Sequence, residues 1–232
     1  MKMPEYEKLP NELKCDEVKH YYNILKTKTL SLVLKRIFDV VVAIFMIIIL
    51  LVPMAVIALL IKCTSKGPVI YKQVRVTTFG KRFKIWKFRS MRTDADSNGE
   101  LLTVGEDNRI TKVGKFIRKF RLDELPQIFH VLSGKMSIVG TRPEVPKFTS
   151  QYSNEMLATL LLPAGVTSLA SIKFKDEAEL LADAQDVDKV YIEKILPEKM
   201  KYNLEYIEMF SFAGDVKLIF KTVAEVFTSR GE

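Results

Sequence analysis

An uncharged run of apolar residues, Val40 to Ile61, constrains this chain more than any other feature. As a single helix at 1.5 Å per residue it would be about 33 Å long, close to the ~30 Å hydrocarbon core of a bilayer. It starts about forty residues into the chain and no small-residue cleavage site follows it, unlike a secretory signal. The run therefore predicts a membrane-associated helix.

Basic residues flank this run on both sides, with Lys35 and Arg36 before it and Lys62 and Lys66 after it. A spanning helix usually has its Lys/Arg excess on the cytoplasmic side only. Pro53, inside the run, removes a backbone hydrogen bond and kinks a helix. A helix that enters, bends at Pro53 and returns to the same side satisfies both flanks, because its first arm of about 20 Å is too short to cross. A kinked spanning helix and a buried helix of a soluble protein are the alternatives.

The run divides the chain into three parts. Residues 1–31 form a polar N-terminal extension, residues 32–62 a re-entrant membrane helix, and residues 63–232 a catalytic domain at the cytoplasmic face. Arg36 and Asp39 are three residues apart and are expected to pair near the membrane interface. The extension is weakly patterned; Tyr21 to Leu25 is compatible with a further surface helix, and a partner contact is the other option.

The composition limits the classes of partner. The net charge of +8 and the sequence pI of about 9.3 favour an anionic partner, which is a lipid surface, a nucleic acid or a phosphorylated substrate. The chain has no recognisable nucleic-acid motif, so we expect no nucleic acid. Cys15 and Cys63 are the only cysteines, which predicts a reducing compartment without a disulfide.

A short β-hairpin is predicted after the membrane run, with strands at 69–71 and 83–88 and a turn at 79–81. From Lys62 to Arg92 there are ten Lys/Arg residues and no acid. This basic segment, which includes Lys87 and Arg89, suits a membrane-surface patch, an anion pocket, or both. The polar loop at 93–109 has acids that could hold a metal, although a solvated loop explains them equally.

Two helices are predicted next. Lys112 to Arg121 is amphipathic and suits either a helix lying on the bilayer or an ordinary core helix with a solvated face. In Leu122-Asp123-Glu124-Leu125-Pro126-Gln127, Asp123 reads as the N-cap of a helix that ends at Gly134. An acid-capped helix explains this string completely. An Asp nucleophile that attacks phosphorus, beside a Glu that holds a divalent cation, is the functional interpretation.

A buried strand, Met136 to Gly140, leads into a loop that contains Arg142, which suits bidentate phosphate recognition or a structural salt bridge. The remainder is predicted to be mostly helical, with a loop at 163–165. The predicted helices are 145–162, 176–181, 186–195, 198–209 and 215–227.

These strings together resemble the bacterial sugar transferase family, the membrane-anchored monotopic polyprenyl-phosphate phosphoglycosyl transferases. The resemblance covers roughly Leu34 to Phe227. Its most specific strings are Leu122 to Gln127 and Met136 to Glu144, supported by Gly67 to Arg75, Lys87 to Met91, and Lys35 to Asp39 before the apolar run with Pro53. Four strings in the right order and spacing, together with the anchor, make the match specific.

The resemblance implies an α+β, mostly helical fold with a re-entrant helix bent at Pro53 and a small catalytic domain carrying a short β-hairpin and interfacial amphipathic helices. It implies transfer of sugar-1-phosphate from a UDP-sugar to polyprenyl (undecaprenyl) phosphate, with release of UMP, at the bacterial inner membrane and its anionic phospholipids. Asp123 would be the nucleophile, and Glu124 would bind Mg²⁺ or help to activate the acceptor. Substrate phosphates would meet Lys87, Arg118 and Arg142, the nucleotide would lie beside Arg142 and Pro143, and Arg89 would be a further substrate-binding residue.

Several positions depart from the usual family pattern. Thr141 replaces a proline, His130 replaces an asparagine, and Val52 precedes Pro53 where a serine often assists the bend. None of these changes removes a proposed catalytic group. A non-catalytic membrane scaffold and a phosphohydrolase that uses the same Asp are the alternative functions, and self-association into a homo-oligomer is left open.

Overall fold

The computed structural model describes residues 3–92, 109–174, 180, 181, 184 and 186–228, with the side chains of 226–228 excepted. The acidic loop predicted at 93–109 and most of the helix predicted at 176–181 lie outside these residues. The described part is mostly helical and carries two small sheets, in agreement with the expected fold class.

Helix α1 covers Asp16–Thr27 and follows two short 3₁₀ turns, Tyr6–Lys8 and Asn11–Leu13. Its sequence patterning is weak, yet Tyr22 and Leu25 are fully enclosed in the largest apolar cluster, together with Leu161 and Phe210. The N-terminal residues therefore contribute to the apolar core of the domain.

Helix α2, Thr29–Thr64, contains the apolar run and Pro53, and begins three residues earlier than predicted. Within the described residues it is the one helix long and apolar enough to cross a membrane, and only 17% of its most apolar window is buried. A core helix of a soluble protein would be mostly buried, so the interpretation of the run as a buried helix of a soluble protein is wrong. The buried residues follow a single helical stripe: Leu32, Lys35, Asp39, Ala43, Met54, Ile57 and Ile61.

The expected Arg36–Asp39 pair is absent, because both side chains hold the domain instead. Arg36 donates to the carbonyl oxygens of Val131 and Leu132 at 2.7 and 2.8 Å. These carbonyls belong to the last turn of a helix, where the Val131 carbonyl also accepts the Gly134 N–H at 3.1 Å, and a guanidinium is a favourable partner for such carbonyls. Asp39 accepts hydrogen bonds from Ser137 Oγ at 2.7 Å and from the Ile138 backbone N–H at 3.1 Å.

The predicted β-hairpin is confirmed. Strands β1, Ile70–Val76, and β2, Arg82–Phe88, pair antiparallel with Tyr71 opposite Lys87. Helix α3, Lys112–Lys119, is followed by a 3₁₀ turn, Leu122–Gln127. Helix α4, Ile128–Ser133, ends at Gly134 as predicted, with Gly134 in the left-handed conformation at φ 78°.

Strand β3, Met136–Val139, is also confirmed, but its partner was predicted as a loop. Strand β4, Ala164–Thr167, pairs parallel with β3. The two backbone segments approach so closely that a Cβ atom on Gly165 would lie 2.2 Å from the backbone nitrogen of Gly140. This parallel pairing of two four-residue strands joins segments that are far apart in the sequence, so local periodicity does not predict it.

The first of the remaining predicted helices is divided in the structure, whereas those predicted over 186–195, 198–209 and 215–227 are found with similar bounds. The helix expected over 145–162 is divided into α5, Pro146–Thr149, and a 3₁₀ turn, Met156–Leu161, where Ser153 Oγ accepts from the Met156 N–H. The others are α6, Leu169–Lys173; α7, Val187–Val190; a π-helical turn, Tyr191–Ile195; α8, Leu196–Glu208; and α9, Phe212–Thr228.

Candidate active site

The two acids Asp123 and Glu124 lie in the 3₁₀ turn between α3 and α4. Asp123 is not the N-cap of a helix: Arg121, at φ 54°, precedes the turn, and Asp123 is its second residue. Arg121 is left-handed, the Glu124 N–H donates to its carbonyl at 3.3 Å, and Pro126 has no backbone N–H to donate within the turn. The turn packs beside β2, the strand that carries Lys87.

Glu124 is the centre of an ion cluster. Its Oε1 accepts a hydrogen bond from Lys87 Nζ at 2.8 Å and a second from Arg142 Nη2, while its Oε2 receives only a long bond of 3.4 Å from Arg142 Nη1. Lys87 comes from β2 and Arg142 from the segment after β3. Three of the predicted site residues, separated by up to 55 positions in the sequence, therefore meet around one carboxylate.

Burial and charge set the protonation states here. Burial alone would raise the pKa of Glu124, but Arg142 and Lys87 outweigh it and hold the pKa of that carboxyl well below its usual range. Burial lowers the pKa of Lys87, opposed by the charge of Glu124. Burial, followed by the charge of Glu124, raises the pKa of Asp123 above its ordinary value, against the attraction of Lys87 and Arg118. The two neighbouring acids are thus pushed in opposite directions.

The other predicted residues are distributed around this cluster. Arg118, near the end of α3, lies close enough to Asp123 to affect its pKa. Pro143 is buried directly after Arg142, and its carbonyl accepts from Arg75 Nη1 at 3.1 Å. Arg89 is buried at the end of α2, where its Nη2 donates to the Ser65 carbonyl at 2.8 Å. The structure therefore gives Arg89 a contact with the membrane helix, and a role in substrate binding stays a prediction.

A cavity of about 520 Å³ adjoins Glu124 and Arg142. Its lining includes apolar side chains, among them Met46 and Leu50 of the membrane helix, and hydroxyl groups, among them Thr167 of β4 and Thr222 of α9. No pattern in the sequence indicates that α9 reaches this cavity, because helical periodicity identifies a buried face and not what that face covers.

A magnesium ion has a suitable ligand in this arrangement. Among the described residues no group of three or more His, Cys, Asp or Glu side chains could hold a metal by itself. Mg²⁺ in nucleotide sites is usually held by one or two carboxylates together with substrate phosphates. Glu124 fits that chemistry, since it is held ionised and its Oε2 accepts only one long hydrogen bond.

The sequence of the chain also matches a known protein family and several known proteins. Residues 30–229 match the family described as bacterial sugar transferase. The chain is 38% identical over 205 residues to the UDP-glucose:undecaprenyl-phosphate glucose-1-phosphate transferase of Klebsiella pneumoniae, covering 87% of this chain and 42% of that protein. It is 37% identical over 177 residues to the UDP-N-acetylgalactosamine-undecaprenyl-phosphate N-acetylgalactosaminephosphotransferase of Aeromonas hydrophila, covering 75% and 39%.

A third relative is matched over nearly its whole length. The exopolysaccharide production protein PSS of Rhizobium leguminosarum bv. phaseoli is 35% identical over 210 residues, which are 86% of this chain and 98% of that protein. The chain thus spans about two fifths of the length of the first two relatives and nearly all of the third.

Proposed function

Because the chain belongs to the bacterial sugar transferase family, we propose that it transfers sugar-1-phosphate from a UDP-sugar to polyprenyl (undecaprenyl) phosphate and releases UMP. The observation that carries this proposal is the buried Glu124 carboxylate bonded by Lys87 and Arg142, directly beside Asp123. Both substrates are phosphates, so a cluster of cations is needed to neutralise the charge that develops on transfer. The proposed product starts a cell-surface polysaccharide or glycoconjugate.

Asp123 is the nucleophile in this proposal. One of its carboxylate oxygens attacks the phosphorus that carries the sugar, and the bond from that phosphorus to UMP breaks, with the electron pair leaving on UMP. A phosphate oxygen of the lipid then attacks the same phosphorus, and the bond to Asp123 breaks and restores the carboxylate. In this proposal Arg142 and Lys87 bind substrate phosphates, and Arg118 on α3 adds positive charge near Asp123.

We further propose that Glu124 holds a Mg²⁺ ion together with the donor phosphates. When bound, this ion would supply positive charge at the transferring phosphoryl group. The mixed walls of the cavity suit a substrate with one apolar and one polar part, and Met46 and Leu50 give the lipid chain an apolar surface that is continuous with the membrane helix.

We also propose that α2 is re-entrant at the cytoplasmic face of the inner membrane, and its contacts support the part of this proposal that puts both of its ends on one side. Ala43 packs with Phe83 and Val131, and Ile61 packs with Phe88 and Ile117, so both halves of the helix lie against the same domain. A helix that crosses a bilayer cannot keep one water-soluble domain in contact with both of its ends. The opposite face, including Phe45 and Ile48 at 62% and 70% exposure, is left for the lipid.

Nucleotide product analysis tests the reaction. The protein in nanodiscs is mixed with a panel of UDP-sugars, Mg²⁺ and undecaprenyl phosphate, alongside Asp123→Asn and a control, Asp188→Asn, whose carboxylate pairs with Lys147 at the surface. We expect repeated UMP turnover only when the lipid is present, no more than one UMP per enzyme molecule without it, no UMP from Asp123→Asn, and normal turnover by the control. Release of UDP would contradict phosphosugar transfer, and repeated UMP turnover without lipid would indicate a phosphohydrolase. An unaffected Asp123→Asn variant would remove Asp123 from the mechanism.

A further inference from the structure

The segment that carries Arg142 has no regular secondary structure of its own. Residues 141–145 lie between β3 and α5, and backbone contacts hold them from outside. Gly165 N–H donates to the Thr141 carbonyl at 2.9 Å, and Val76 N–H donates to the Glu144 carbonyl at 2.9 Å. Arg142 therefore lies between two fixed points, and the geometry of its guanidinium depends on how firmly each is held.

Glu144 is fixed by its side chain as well as its backbone. The carboxylate is 6% exposed, and its Oε1 accepts from the Tyr191 hydroxyl at 2.6 Å and from Lys199 Nζ at 3.4 Å. Lys199 Nζ also donates to the Tyr191 hydroxyl at 2.9 Å, and Arg75 Nη1 lies 3.9 Å from Glu144 Oε2. Tyr191 begins the π-helical turn and Lys199 lies in α8, so elements from the C-terminal part of the chain reach the Arg142 segment.

Stability alone is a poor explanation for this network. Burying a Lys–Glu pair incurs a large desolvation penalty, and well-packed apolar residues of similar volume are often as stable or more stable. An apolar cluster already surrounds it: the rings of Phe148 and Tyr191 are 4.4 Å apart, and Val145 and Met200 pack beside them. The hydrogen bonds fix a direction, which apolar packing does not.

We propose that Tyr191 and Lys199 are positioning residues for Arg142: by holding Glu144, they fix the 141–145 segment so that the Arg142 guanidinium meets Glu124 and the donor phosphates. This inference rests on the proposed function for its kinetic consequence. Its structural consequence, the rigidity of the segment, does not depend on that function. Neither residue touches substrate in this proposal.

Tyr191→Phe and Lys199→Met are the test variants, and Lys201→Met is the control, because Lys201 is on the same helix but pairs with Glu198 at the surface. Tyr191→Phe keeps the ring that packs on Phe148 and removes only the hydroxyl. The first measurement is hydrogen–deuterium exchange of the full chain without substrate. We expect the Val76 amide, which donates to Glu144, to exchange about tenfold faster in both test variants and unchanged in the control.

The second measurement is steady-state kinetics with UDP-sugar and undecaprenyl phosphate varied separately. We expect the donor KM to rise about tenfold and the lipid KM to stay the same, with Lys199→Arg recovering most of the donor affinity. A lower kcat with unchanged donor KM would mean only a smaller folded fraction, and would overturn the inference. Unchanged exchange at Val76 would also overturn it, whatever the activity. If the wild-type protein released no UMP, the proposed function would fail, while the exchange result would still decide the rigidity of the segment.

Discussion

At the scale of single residues, the planar guanidinium of Arg142 is what a lysine cannot replace. It bonds both oxygens of Glu124 in a fixed fork geometry, and in the proposed function it also meets the donor phosphates. We predict that Arg142→Lys lowers kcat/KM for the donor by about 10- to 100-fold, since a charged hydrogen bond contributes roughly 1.5–3 kcal/mol. The control is Arg82→Lys, an exposed position on β2. Equal kinetics for Arg142→Lys and the control would show that charge alone suffices at position 142.

His130 gives the fold a dependence on pH. Its Nε2 accepts the Trp86 backbone N–H at 3.1 Å, which requires neutral imidazole, and burial lowers its pKa. The unfolded chain therefore binds more protons between the lowered folded pKa and the ordinary value near 6.5, so the free energy of unfolding decreases as the pH falls through that window. His130→Asn keeps an acceptor that does not titrate. We predict a flatter dependence of the melting temperature on pH between 5 and 7 in this variant than in the wild type. Parallel curves would contradict the assignment.

The residues around Glu124 also show what the sequence can and cannot predict at this scale. Lys87, Glu124 and Arg142 come from three separate motifs, and the family resemblance predicts that they belong to one site. The partners of Arg36 and Asp39 could not be predicted, because a three-residue spacing shows that two side chains share a helix face and not which neighbouring element competes for them. In this case the carbonyls at the end of α4 and the groups of β3 were the competing partners.

At the scale of elements, prediction succeeded where local patterns decide the structure. The hairpin β1–β2, the strand β3 and the end of α4 at Gly134 follow from alternation, apolar runs and a glycine stop. The parallel pairing of β3 with β4 depends on contact between distant segments, so Pro163-Ala164-Gly165 resembled a loop. The burial of helix α1 could not be predicted from its sequence, because Tyr21 and Tyr22 are amphipathic residues that suit both a surface and a core.

Helix α1 provides a direct test of its place in the core. Leu25 is fully buried and packs in the cluster that contains Leu161 and Ile207. We predict that Leu25→Ala lowers the free energy of unfolding by about 2–5 kcal/mol, as expected for a buried leucine truncated to alanine. Asn23→Ala, on the exposed side of the same helix, is the control. Thermal unfolding in detergent measures both, and a loss below about 0.5 kcal/mol for Leu25→Ala would indicate that α1 is not part of the core.

At the scale of the whole molecule, two buried polar side chains of the membrane helix, Lys35 and Asp39, join it to the strand that leads to the candidate active site. Lys35 donates to Asp215 at 2.6 Å and to the Val139 carbonyl at 2.7 Å, and Asp39 bonds the Ser137 hydroxyl. Ser137 and Val139 belong to β3, which leads directly to Arg142. The position of the membrane helix and the position of Arg142, which is proposed to bind phosphate, are thus set by the same short strand, and this suits the proposed reaction at the depth of the lipid headgroups.

The proposed re-entrant helix has both ends of α2 on one side of the membrane, and cysteine labelling can measure this. One variant carries Cys15→Ser and keeps the native Cys63, which is exposed at the end of α2. A second carries Cys15→Ser, Cys63→Ser and Asn23→Cys, with its thiol on the exposed side of α1. We predict that an impermeant maleimide labels neither protein in intact spheroplasts and labels both in inverted membrane vesicles, because the same domain packs against Ala43 and Ile61. A spanning helix would give opposite results for the two cysteines, and labelling of both in intact spheroplasts would put the domain outside the cell.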